Sequence, residues 1–80
     1  MSNDPIKARR LRPGEYMLPA GTVVQVGLTF EYLGAVYEVI GEPRRWGVQW
    51  AARVRQVEGL RPGMEFQALL GVAGEGQWVT

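Results

Sequence analysis

The chain contains no cysteine and no histidine, and its one serine is Ser2. Without cysteine there is no disulfide to staple a small fold and no thiolate nucleophile. Without either residue type, the usual ligands of zinc, copper and haem are missing, and so is the commonest general base. Ser2 lies in a polar N-terminal stretch, not on a rigid element that would hold a nucleophile. No phosphate-cradling glycine motif occurs; the 11 glycines are spread as turn residues. No apolar run approaches the ~20 residues of a membrane span, and no signal-peptide core precedes the domain. These absences predict a cytoplasmic chain without membrane contact, metal, cofactor or ordinary enzyme chemistry. An active site shared between copies has no sequence feature in its favour.

What remains is enough for one domain. The 80 residues are 46% hydrophobic and include three tryptophans, a composition for a packed globule and not for a disordered tail. A chain this short buries only about 60% of its unfolded surface, so modest stability is expected.

Residues 1–12 read as a flexible basic arm, with Pro5 interrupting any early element and polar side chains dominating; residues 13–80 form the domain. From Leu18 the period becomes two. Thr22-Val23-Val24-Gln25-Val26 is a β-branched run. Leu28-Thr29-Phe30-Glu31-Tyr32-Leu33, a single Gly34, and Ala35-Val36-Tyr37-Glu38-Val39-Ile40 predict a β-hairpin. After Gly41-Glu42-Pro43, the residues Trp46, Val48, Trp50, Ala52 and Val54 alternate with Gly47, Gln49, Ala51, Arg53 and Arg55, which predicts one long half-buried strand. Glu58-Gly59-Leu60-Arg61-Pro62-Gly63 is a turn. Residues 64–71 fit a strand better than a short helix, and Gln77-Trp78-Val79-Thr80 suits a last short strand. Leu11-Arg12-Pro13-Gly14 echoes Leu60-Arg61-Pro62-Gly63, which is strand punctuation more readily than duplication. The whole predicts an all-β chain: a small SH3-like or, alternatively, OB-like barrel of five to six short antiparallel strands.

The net charge is only +1, but the charges are segregated. Lys7, Arg9, Arg10 and Arg12 face Asp4 alone in the first thirteen residues. Glu15, Glu31, Glu38 and Glu42 follow without a cation. Arg44, Arg45, Arg53, Arg55 and Arg61 then stand against Glu58. Strands of opposite sign lying side by side would neutralise one another across the sheet; the alternative is a surface with separate poles. Glu31 and Glu38 come closest to a paired-carboxylate site, but on two antiparallel strands they read as a solvated outer face.

The candidate contact surface is Arg44, Arg45, Trp46, Gln49, Arg53 and Arg55, joined by Lys7, Arg9, Arg10 and Arg12 from the arm. Arginine forks suit phosphate or carboxylate, and an exposed indole stacks on a base or anchors a protein interface. The phase of the strand works against this, since it places Trp46 and Trp50 with the buried valines. The first expectation is a non-enzymatic protein–protein adaptor, self-associating or docking on a partner through open sheet edges and outward apolar groups such as Leu33, Tyr37 and Trp78. A phage or plasmid accessory protein is the setting this combination suggests. The alternative is a nucleic-acid-binding barrel using the 44–55 stripe and the arm, with a pI of about 8.2 standing below the >9 of a dedicated binder.

Overall fold

A computed structural model of the chain describes residues 5–74. Within them lie eight strands and no helix: β1 (Ile6–Lys7), β2 (Arg9–Arg12), β3 (Glu15–Leu18), β4 (Thr29–Tyr32), β5 (Ala35–Val39), β6 (Arg44–Trp46), β7 (Gln49–Glu58) and β8 (Glu65–Val72). With no helix among these residues, none is long and apolar enough to cross a membrane. The strands form one sheet in the order β1-β4-β5-β7-β8-β3-β2, with β6 attached to β7 off this path. The sheet curls into a nearly closed small barrel, the all-β architecture expected from the sequence. It is not wholly antiparallel, because β1–β4 and β3–β8 pair in parallel.

Closure comes from the segment expected to be a loose arm. The two ends of the sheet order, β1 and β2, are adjacent in sequence, with only Ala8 between them. Ile6 and Lys7 pair with Phe30 and Glu31 on one edge, while Arg9 and Arg10 pair with Met17 and Tyr16 on the other. The Ala8 N–H donates to the Glu31 carbonyl at 2.8 Å. Residues 6–12 are thus a clasp across both edges, not a free arm. Ladder bonds are made by backbone groups, so the polar, basic side chains here can stay exposed while the main chain is paired.

The predicted hairpin forms as β4 and β5, with Tyr32 opposite Ala35 and Leu33-Gly34 as its two-residue turn. The long strand predicted through residue 46 is instead broken by a second tight hairpin. Trp46 faces Gln49 across the Gly47-Val48 turn, and Arg45 faces Trp50. Gly47 has φ 64, as the first central position of a type II′ turn requires. The run at 22–26 is not a strand. Thr22 bonds back to the Pro19 carbonyl through both its N–H and its hydroxyl, and the segment carries the chain across one end of the barrel from β3 to β4. Tertiary context overrides its β propensity: the backbone turns at both ends of the run, with Thr22 N–H bonded to the Pro19 carbonyl and Leu28 N–H to the Gln25 carbonyl. Residues 65–72, ambiguous in sequence, are strand β8. The short strand expected near Trp78 lies outside the described residues.

Buried Ala52 and Val54 alternate with outward Arg53 and Arg55 on β7, and half-buried Phe66 and buried Ala68 with outward Glu65 and Gln67 on β8. Leu18, Phe30, Val39, Val54, Leu70 and Val72 are fully enclosed. At one end of the barrel the core turns aromatic: Tyr16 lies within 5.3 Å of Phe30, 5.8 Å of Tyr37 and 5.9 Å of Tyr32, centroid to centroid.

Candidate functional site

The structure splits the predicted basic surface into three parts. Arg44, Arg45 and Trp46 are exposed on β6, the short strand paired only with β7. The turn at Gly47-Val48 moves Trp46 out of phase with Val54 and onto the face of Gln49, so the indole expected to be core is 66% exposed. The Arg45 guanidinium lies 4.8 Å from the centre of the Trp50 ring, which is half-buried. Gln49 donates from Nε2 to the Glu15 carboxylate.

Arg53 and Arg55 lie on the outer wall and are matched by acids of neighbouring strands. Arg53 Nε is 3.1 Å from Glu65, and an Arg55 terminal nitrogen is 3.5 Å from Glu38. The N-terminal cations divide similarly. Lys7 Nζ is 3.2 Å from Glu31, and Arg12 Nε is 3.8 Å from Glu15, whereas Arg9 and Arg10 form no ion pair among the described residues. Glu31 and Glu38 do not face each other: Glu31 is opposite Val36 and Glu38 opposite Thr29. Each serves a different cation. Among the described residues no cluster of acids is arranged to hold a metal ion.

Arg10 belongs to another site, an open cleft of ≈ 380 Å³ at the aromatic end of the barrel. The chain has three tyrosines, and all three, Tyr16, Tyr32 and Tyr37, line this cleft. Leu33 and Leu60 stand at its rim, 84% and 99% exposed. Leu33 is the one non-glycine residue with positive φ among those described, at 49°. Its turn has both central residues left-handed, a type I′ geometry that favours Asn-Gly. A leucine in that conformation is strained by about 1 kcal/mol.

Beneath the cleft runs a polar chain. Gln56 is the one buried polar side chain among the described residues. Its Oε1 accepts from the Arg61 N–H at 2.6 Å, and its Nε2 donates to the Tyr37 hydroxyl at 3.4 Å. The loop carrying Leu60 is further held by Gly63 N–H to the Gln56 carbonyl at 2.7 Å and Gln56 N–H to the Met64 carbonyl at 2.8 Å. The Tyr16 ring packs against that of Tyr37. Burial first, then the neighbouring Tyr37, pushes its hydroxyl up to about 12, with Arg10 pulling the other way. It is therefore a neutral, protonated group throughout the physiological range.

The sequence reading singled out Leu33 and Tyr37 as outward apolar groups and Arg10 as part of the arm. Tyr37 proves to be buried, with its ring in the core and its polar edge at the cleft. Tyr16, Tyr32, Gln56 and Leu60 were not singled out. The local signals were a leucine where a hairpin turn favours asparagine, and a leucine beside Gly59 in a polar turn. No family model, no curated protein and no solved structure matches the chain.

Proposed function

We propose that the protein is a non-enzymatic protein-interaction module that grips its partner at the tyrosine-lined cleft between Leu33 and Leu60. The observation that carries this reading is Leu33 itself: an apolar side chain left in water, in a backbone conformation that leucine disfavours, at the rim of a cleft. Exposed apolar groups around a concavity are a common mark of a contact surface, and local strain at such a place is a pointer to function. The cleft floor supplies tyrosine rings, which give large contact area at low conformational cost.

Nucleic-acid binding through the 44–55 stripe is the less supported alternative. Arg53 and Arg55 are matched by Glu65 and Glu38, which leaves the exposed Arg44–Trp46 hairpin as its main footing.

A random peptide library panned on the protein tests the main reading. Enriched sequences that lose binding to a folded Leu33→Asn/Leu60→Ser variant would support it. No enrichment, together with a strict monomer by light scattering over a concentration series, would count against it. A mixed-sequence oligonucleotide bound with a steep salt dependence that Arg44→Ala/Arg45→Ala flattens would favour the alternative instead.

A further inference from the structure

The chemistry of the cleft specifies its occupant more closely than "a protein". None of its lining residues is acidic, and Arg10 is the one charged group among them. Arg61 follows Leu60 in the rim loop, and neither arginine has an ion pair among the described residues. The other cations near the acidic strands are already matched: Lys7 by Glu31, Arg12 by Glu15, Arg53 by Glu65 and Arg55 by Glu38. Of the two β2 arginines without an ion pair among the described residues, Arg10 is the one at the mouth, since Arg9 lines a separate pocket with Lys7 and Met17. Arg61 joins Arg10 from the rim loop, where the one nearby acid is Glu58, just outside the lining.

A three-tyrosine cluster would in principle accept a cation against its ring faces. Arg10 opposes that here, since it is close enough to Tyr16 to act on its hydroxyl electrostatically. An anionic ligand gains from the same placement. A guanidinium gives a carboxylate a charge-assisted, two-pronged bond. The tyrosine hydroxyls that line the cleft add donors. Leu33 and Leu60, almost wholly in water, gain only from an apolar side chain set between them.

We infer that the cleft takes an acidic peptide segment, with an apolar side chain held between Leu33 and Leu60 and a neighbouring carboxylate held by Arg10. This rests on the reading of the cleft as a protein-contact site.

The test uses the full chain and three fluorescein-labelled peptides that share a central leucine: one flanked by Asp and Glu, one by Asn and Gln, one by Lys. Polarisation at low and high salt gives the affinities. The acidic peptide is expected to bind at least about tenfold more tightly than the neutral one, and more weakly as salt rises. Arg10→Gln should erase that preference, and Arg10→Glu should shift it toward the lysine peptide. Both substitutions are at an exposed edge position, so the fold is retained, and circular dichroism checks this. If all three peptides bind equally, or the preference survives Arg10→Gln, the inference is overturned while the protein-contact reading stands. Concentration-dependent dimers that Leu33→Asn disrupts, with no peptide bound, would also overturn it and make a second copy the occupant. If no peptide binds, the chain stays monomeric and library panning enriches nothing, both readings fall.

Discussion

Gln56 donates to the hydroxyl of Tyr37 across the β5–β7 pair while its other amide atom takes the backbone N–H of Arg61. One carboxamide thus connects the floor of the cleft to the loop that carries Leu60. Replacing it with leucine preserves volume but leaves both partners without their bond. Gln56→Leu is expected to cost about 1–3 kcal/mol, read as a lower urea midpoint. Gly59→Ala should have a similar effect by another route. Gly59 has φ 139, and an added Cβ would sit 2.8 Å from Gln56 Oε1. Backbone of that kind is close to glycine-only and costs about 1–3 kcal/mol for other residues.

The strain at Leu33 predicts a trade between stability and binding. Leu33→Asn places a residue suited to the left-handed turn and gives up little burial, since the side chain is 84% exposed. The variant should be more stable by about 0.5–1 kcal/mol, measured by denaturant unfolding, yet bind its peptide more weakly. A destabilised Leu33→Asn would show that the leucine is held in place by packing.

The clasp at Ala8 separates a paired N-terminus from a loose arm. Ala8→Pro removes the N–H that bonds to Glu31, and the expected cost is about 1–3 kcal/mol. Hydrogen exchange provides a second reading, with the Ala8 amide protected well beyond the chain terminus. An amide exchanging at the rate of an unstructured peptide would contradict the closure described above.

Tyr16 gives the fold a defined alkaline limit. Its hydroxyl is raised from the usual 10.0 to about 12, chiefly by burial. Unfolded chains lose this proton near pH 10 and the folded protein near pH 12, so the folded form binds more protons between those values. The share of stability that Tyr16 carries is constant below about pH 10 and is lost as pH rises toward about 12. Ultraviolet titration should show the Tyr16 hydroxyl ionising late, and Tyr16→Phe should remove that part of the stability loss.

The hairpin of β4 and β5 was legible because alternating aromatic and β-branched residues flank a glycine, and every part of that signal is local. The second hairpin was not. Gly47 interrupts an otherwise unbroken alternation, and a two-residue turn reverses the chain without leaving a polar gap, so Trp46 was assigned to the wrong face. The N-terminal clasp left no side-chain signature because its pairing is made by the backbone of Ile6–Arg12 with strands β4 and β3. The Val-rich run at 22–26 misled in the opposite sense, having propensity but turns in place of a strand. The matching of Arg53 and Arg55 by acids followed one of the two readings that charge segregation allowed. The cleft was hidden for a topological reason. Tyr16, Tyr32, Tyr37 and Gln56 come from β3, β4, β5 and β7, and only the long-range register brings them to one end of the barrel.

The central claim is that binding occurs at the Leu33–Leu60 cleft. Amide chemical shifts of the isotope-labelled protein, followed while the acidic leucine peptide is added, test it most directly. The shifts should change at Arg10, Tyr16, Tyr32, Leu33, Gly34, Gln56 and the 59–61 loop, and leave Arg44–Trp46 unmoved. Changes confined to the Arg44–Trp46 hairpin, or no change anywhere, would contradict it.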